Sequence, residues 1–304
     1  MSLLRRERAA IAERSARASS TMRAYTTDWA SFEAWCESCG RPALPASSDS
    51  VQLYLIGLGR LGRLPATMER RVCAITWKHR AAGLASPVDA GVRSVLLDLR
   101  RQIGAAPKWA KDALSVADLR AMLRTCGRDG VGLRDRALLL VGFASGLRRS
   151  ELAALRLADV RIEKRGAVLR LERSKTDQSG EGRAVGIHYG KRGSCPIAAL
   201  QAWMKARGRW PGPLFCGSPG AIHPGPMSGE SINEVVKAHA AAAGLDASRI
   251  GAHSLRAGLV TAAGAAGVGV LAIAARTGHR DLKTLQRYMR PGTALAVDPL
   301  AGLL

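Results

Sequence analysis

From Ser19 onward, apolar side chains recur at steps of three and four residues. Met22, Tyr25, Trp29, Phe32 and Trp35 fall on one helical face, and Gly40 stands where that helix should stop. The segment PALPASSDS breaks the period. Three more helical stretches follow at approximately 49–60, 65–82 and 87–103, separated by Gly, Pro or Ser. The aromatic stripe of the first helix has two readings, a surface on which bases stack or a core. Core is the commoner fate of aromatic residues at this spacing. Residues 105–114, AAPKWAKDAL, have no period and read as a linker.

Helical patterns resume at 115–126, opened by Ser115 with Asp118 three residues on as a capping pair, and continue at 132–145 and 149–157. The period then changes. AVLRLERS alternates apolar and polar residues as a half-buried strand does, and GRAVGIH does so again beyond the polar turn TDQSGE, which predicts a hairpin with Lys175 at its tip. Helical stretches return at about 195–206, 229–243, 253–266, 268–276 and 281–289. The chain therefore reads as mainly α with one small β hairpin or sheet. An all-helical first domain spans residues 1–104, and a mixed α+β second domain runs from 115 to 290.

At 304 residues the chain can fill two cores of ordinary size. Charge sharpens the picture: 46 Lys and Arg stand against 24 Asp and Glu, a net +22. The excess is spread along the chain, with 17 basic and 9 acidic residues up to position 110 and 29 and 15 beyond it. A dispersed excess puts a positive field over folded faces and points to a polyanionic partner. Between 51 and 110, Arg70, Arg71, Lys78, Arg80, Arg100 and Arg101 should give helices basic outer faces suited to duplex phosphates. No run of about 18 apolar residues and no apolar signal-peptide core occur, which predicts a cytosolic protein without membrane contact. Six scattered cysteines agree with a reducing compartment. The pair Cys36 and Cys39 has no second ligand pair nearby, so it reads as helix-end thiols rather than zinc ligands.

The candidate chemistry lies mostly in the last quarter. His253 and Arg256 stand in HSLR, His279 in TGH and Tyr288 in RY, while Arg148 in SGLRRSE and Lys175 in RSKT lie upstream. A tyrosine hydroxyl, with a pKa near 10, attacks a phosphodiester only if it loses its proton and the anionic phosphate is neutralised. Arginine suits the second task, because its planar fork donates two parallel hydrogen bonds to non-bridging oxygens and keeps its charge. Two arginines and two histidines could stabilise the pentacovalent state by preorganised electrostatics, and a lysine on a hairpin tip could protonate the departing 5′ oxygen. Each fragment alone is commonplace. H-x-x-R occurs widely, RSKTDQ could be a solvated turn, and a Tyr at a helix end is usually a packing residue. Their joint occurrence in this order carries the information. No G-x-x-x-x-G-K-[ST] loop and no H-E-x-x-H helix are present, so neither nucleotide cofactor nor catalytic zinc is expected.

These residues resemble the tyrosine recombinases, also called the phage integrase family, and within it the Cre-like members. SGLRRSELAALRLADV is similar to the family's first arginine box, RSKTDQSGEGRAVGI to its lysine hairpin, HSLRAG to its His and second Arg box, and TGHRDLKTLQRYMR to its final box. Arg256 precedes His279 by 23 positions and His279 precedes Tyr288 by nine, spacings that match the family. STMRAYTTDWASFEAWC is similar to the start of the family's helical core-binding domain. Ala257 replaces a His that many members carry after the second Arg, and Val185, Gly186 and Ile187 lack the Pro common in the hairpin strand.

The resemblance implies a two-domain DNA clamp, with a core-binding domain over 1–104 and a catalytic domain over 115–290. It implies Tyr288 as nucleophile, Arg148 and Arg256 as phosphate clamps, Lys175 as general acid, His253 as a proton-transferring group, His279 at the family's His or Trp position, and Glu151 as the supporting acid. A surface carboxylate paired with neighbouring Arg is the plainer reading of Glu151. The implied partners are double-stranded recombination sites and three further copies of the chain, four protomers forming a ring on DNA. The tail 291–304, with Leu295, Val297, Leu300, Leu303 and Leu304, either frays or docks into a neighbouring protomer. Three functions remain open at this point: a site-specific recombinase without metal or ATP, a type IB topoisomerase using similar groups on one duplex, and a catalytically silent DNA-binding regulator.

Overall fold

The computed structural model describes residues 19–104, 112–171, 182–217, 225–279 and Leu285. The chain divides into two compact units, Met1–Lys108 and Trp109–Leu304.

Among the described residues the first unit packs four helices: α1 (Ser19–Ser38), α2 (Ser48–Arg60), α3 (Pro65–Ala81) and α4 (Ala90–Ile103). Their starts are chemically marked. The Ser47 side chain accepts from the Ser50 N–H at the start of α2, Asp89 accepts from Val92 N–H at the start of α4, and Pro65 opens α3, where a missing N–H costs nothing. The aromatic stripe is core. Trp29 and Phe32 are buried with Tyr54, Leu55, Met68 and Ile75, and the Phe32 and Tyr54 rings meet edge to face at 5.1 Å.

Beside this core the basic face predicted for α3 is partly turned inward. Asp28 is buried, and Arg70 holds it through two hydrogen bonds of 2.7 and 3.0 Å. Arg71, only 16% exposed, bonds Ser31 Oγ at 2.8 Å and the Tyr54 hydroxyl. Lys78 lies over the Trp29 ring. A buried carboxylate must be paired, and these cations are the pairing. Arg80, Arg100 and Arg101 remain exposed.

The second unit contains, among the described residues, seven α-helices and one three-stranded sheet. Helix α5 (Val116–Arg124) begins with a full capping box between Ser115 and Asp118. Helix α6 (Gly130–Ser145) is apolar on nearly every side, and Ala137 to Val141 are buried between its neighbours. It ends at Gly146, whose φ of +63° a side chain would strain. Helix α7 (Arg149–Ala154) and a 3-10 turn lead into the sheet. Strands β1 (Val160–Glu163), β2 (Gly166–Leu171) and β3 (Arg183–His188) run antiparallel in that order, with Val160 opposite Leu169 and Leu169 opposite Val185. Helices α8 (Pro196–Arg207), α9 (Gly229–Ala242), α10 (Ala252–Ala265) and α11 (Val270–Thr277) complete the unit. The predicted helix at 281–289 lies, Leu285 apart, outside the described residues. No described helix is long and apolar enough to cross a membrane.

The end of the predicted linker is built into this unit. Asp112 N–H donates to the Arg249 carbonyl at 2.9 Å, and Leu114, buried, donates to the Ser254 carbonyl at 3.1 Å. Gly258 permits this approach, since a Cβ there would stand 2.2 Å from the Leu114 carbonyl oxygen.

Three elements are pinned together by a half-buried ionic cluster. His239 on α9 meets Thr125 Oγ1 at 2.7 Å and Asp135 on α6 at 3.2 Å, and Asp135 is paired with Arg134 at 2.7 Å. The hydrogen bond to Asp135 is the main cause that raises the His239 pKa to about 9. A raised histidine stabilises the fold fully below its unfolded value near 6.5 and loses that contribution as pH rises through about 9. Urea titrations at pH 6, 7.5 and 9 should therefore show a stability decline toward pH 9, and His239→Gln should flatten it. An equal decline in the variant would assign it to other groups.

Candidate active site

Four elements of the second unit converge on one cationic bowl. Arg148 follows the end of α6, and its side chain is 21% exposed. Its backbone N–H donates to Glu151 Oε2 at 2.9 Å, its Nη1 to Glu151 Oε1 at 2.8 Å, and its Nη2 to the Gly278 carbonyl at 3.2 Å. Glu151, one turn into α7, is buried and so is not the surface carboxylate of the plainer reading. It also accepts from Arg183 Nη2 at 3.1 Å.

Arg256 projects from α10 and is 2% exposed. Its Nη1 donates to the carbonyls of Gly146 and Thr277, both at 2.7 Å, which ties the end of α6 to the end of α11. Its Nη2 lies 3.0 Å from His279 Nε2. The Thr277 hydroxyl donates to the Ile273 carbonyl at 2.6 Å, so toward His279 Nδ1, 2.7 Å away, it accepts. That assigns the His279 proton to Nδ1 and leaves Nε2 to accept from Arg256. The turn that delivers His279 depends on Gly278, which caps α11 at a φ of +67°.

His253, on the first turn of the same helix as Arg256, opens toward solvent. Both histidines register the field of the bowl. Burial, then Arg256 and Arg148, hold His253 below its ordinary pKa. Burial first, then the same arginines, His253 and Arg183, push His279 down to about 4. Among the described residues Arg148 and Arg183 share the Glu151 carboxylate, and His279 lies in the combined field of Arg256, Arg148 and Arg183.

Of the residues singled out in the sequence, Arg148, Glu151, His253, Arg256 and His279 are thus brought together. Lys175 and Tyr288 lie outside the described residues. Leu285, three positions before Tyr288, is fully buried and packs with Val260, Ile273 and Ala274 on α10 and α11. One residue was missed. Arg183, the first residue of β3, bonds Glu151 and donates from Nη1 to the Arg276 carbonyl at 2.7 Å. Its Nε is buried without a hydrogen-bond partner among the described residues. The only signal in the sequence was an arginine at the head of an alternating strand.

Arginines and histidines gathered in this way on a mainly helical unit form a set of charged donors that suits the oxygens of an anion such as phosphate. The phage integrase family matches the chain over residues 113–294, and the chain belongs to that family. An integrase/recombinase xerD homolog of Selenomonas ruminantium is 31% identical over 284 residues, covering 91% of this chain and 83% of the relative. The recombinase cre of Escherichia phage P1 is 26% identical over 61% of this chain and 55% of its own length. Among solved structures, a lambda integrase dimer bound to a COC' core site aligns with a TM-score of 0.61 at 14% identity, covering 94% of this chain and 76% of that one. The Tn1549 transposon integrase in complex with transposon right end DNA aligns at 0.59 and 18% identity, covering 84% of each chain. At these identities the structural likeness is one of fold.

Proposed function

We propose that this site-specific DNA recombinase cuts and rejoins strands through a 3′-phosphotyrosyl bond at Tyr288. The observation that carries the reading is the convergence of Arg148, Arg256, His253 and His279, with Glu151 as the carboxylate bonded there among the described residues. In the proposed reaction the two guanidiniums hold the non-bridging oxygens of the scissile phosphate. The Tyr288 hydroxyl attacks phosphorus and passes its proton to neutral His253, the bond to the 5′ oxygen breaks, and Lys175 gives that oxygen a proton. The ester formed conserves the energy of the bond lost, so a 5′ hydroxyl from another strand can reverse the step without ATP.

The low histidine pKa values belong to the DNA-free protein. A phosphodiester in the bowl adds a negative charge beside His253 and His279, which favours their protonated, donating forms as charge builds on the phosphate. In this reading Glu151 and Arg183 act through Arg148, keeping its guanidinium aimed at the phosphate. The helical first unit supplies further DNA contacts, four protomers assemble on two duplexes, and the apolar tail 291–304 links neighbours. A cytosolic location fits such a role.

The test is product exchange. Two duplexes carrying the cognate site, located by footprinting DNA next to the gene, should yield recombinant products with the protein alone or with a host extract. Relaxation of supercoils without exchange between duplexes would replace recombination by topoisomerase activity. Binding without either would leave a regulator.

A further inference from the structure

The second unit carries another cationic concavity, well away from the bowl. A cleft of about 600 Å³ opens between the C-terminal end of α5, the loop that enters α6, and the loop after β3. Arg120, Arg124, Arg128, Arg136 and Arg192 line it over an apolar floor that includes Leu123 and Leu133. Arg136 is a structural tie, donating from Nη1 to the Leu123 carbonyl at 2.8 Å and from Nη2 to the Gly193 carbonyl, so it holds the two walls in place. The other four are exposed. No described carboxylate pairs with them. The nearest acids in sequence, Asp118 and Asp129, act as cap acceptors for α5 and α6, and the Asp129 carboxylate borders the cleft at Gly127, which leaves the rim with a net positive charge.

Four like charges gathered in one concave surface repel one another, and no described carboxylate forms an ion pair with any of them. An anion would offset that repulsion. Three features narrow its class. The cations are all arginines, whose forks match phosphate oxygens. Arg120 and Arg124 stand one helical turn apart, about 5–6 Å at their Cβ atoms, with Arg128 and Arg192 extending the set, so the surface offers a row of forks rather than one pocket. Among the described residues no aromatic ring lines the cleft, so its described walls offer no platform for stacking unpaired bases. A row of forks without stacking surfaces fits the backbone of a duplex.

Position separates this site from the chemistry. Arg136 lies on the second turn of α6, roughly 14 Å along the axis from the Ser145 end that Arg148 follows. We propose that the cleft is a second phosphate-binding site, taking the sugar-phosphate backbone of duplex DNA at a distance from the bond being cut. It supplies affinity and salt dependence and no catalysis. The inference rests on DNA being the protein's substrate.

The experiment needs no knowledge of the recombination site, because backbone contacts are independent of sequence. Binding of the full chain to a random-sequence duplex is measured across a salt series for the wild type, for Arg120→Gln/Arg124→Gln/Arg192→Gln, and for the matching lysine triple. Each lost phosphate contact should lower the log–log salt slope by about 0.9, so the glutamine triple should lose about 2–3 in slope, while the lysine triple keeps most of it. An effect on a duplex as short as one protomer's footprint places the contact on the bound duplex itself, and an effect confined to longer duplexes places it on flanking or second DNA. Either supports the proposal. An unchanged slope overturns it, including the case in which the cleft instead captures an acidic peptide. Covalent attachment of the glutamine triple to cognate DNA at saturation is expected to match wild type, and its absence in both proteins would count against the recombinase chemistry while leaving the cleft to be judged by its slope.

Discussion

Replacing Tyr288 by phenylalanine is expected to remove every trace of covalent protein–DNA adduct while leaving DNA binding within about twofold of wild type. The substitution deletes one oxygen and keeps the ring. If that oxygen is the nucleophile, no residual path to a phosphotyrosyl ester exists, since an ester cannot form without it. The readout is a nicked duplex from which the departing fragment diffuses away, trapping protein on DNA as a band that survives denaturing electrophoresis. Wild-type protein should accumulate that band and the variant should show none. An adduct of undiminished yield in Tyr288→Phe would move the nucleophile to another side chain.

The second large effect is expected at Glu151. Its carboxylate is 2% exposed and receives charged donors from Arg148 at 2.8 Å and Arg183 at 3.1 Å, besides the Arg148 backbone N–H. Removing one partner from a buried ionic cluster typically costs about 3–5 kcal/mol, because the remaining charges stay buried without compensation. Glu151→Ala should therefore shift the urea midpoint strongly downward and abolish adduct formation, since Arg148 loses two of its tethers. Glu151→Gln keeps the shape and one acceptor oxygen, and should fall between the alanine variant and wild type. Arg183→Gln leaves the Glu151–Arg148 pair intact and should cost less than either. Combined with Glu151→Gln it should add little, as expected for two changes that break one shared contact. Full additivity, or a stability loss under about 1 kcal/mol in Glu151→Ala, would show that the carboxylate does not hold this arrangement together.

Much of this architecture was readable along the chain, and the failures have physical causes. The four helices of the first unit follow from their period and from Ser47, Asp89 and Gly40 at their ends, and burial of Trp29 and Phe32 follows from their spacing. Strand β1 left no pattern, because Val-Arg-Ile-Glu is too short to show alternation. It exists because β2 offers it a ladder from Val160 to Glu163. The pairing of Arg70 and Arg71 with Asp28 escaped notice for a related reason, although Arg70 itself stays half exposed. Their partner Asp28 lies some forty residues away on another helix, and a local period cannot reveal a pairing across helices. Arg148, His253, Arg256 and His279 were legible through their motifs and the family resemblance these carry, whereas Arg183 became visible only when the folded sheet brought it against Glu151.

The chain enters the second unit at a telling place. Leu114 hangs from the Ser254 carbonyl, and Ser254 sits between His253 and Arg256 on the same helical turn. With Gly258 letting the incoming thread lie flush against that helix, there is no slack between the two. A methyl group at Gly258 would stand 2.2 Å from the Leu114 carbonyl oxygen, so Gly258→Ala should push the thread off the helix that carries His253 and Arg256.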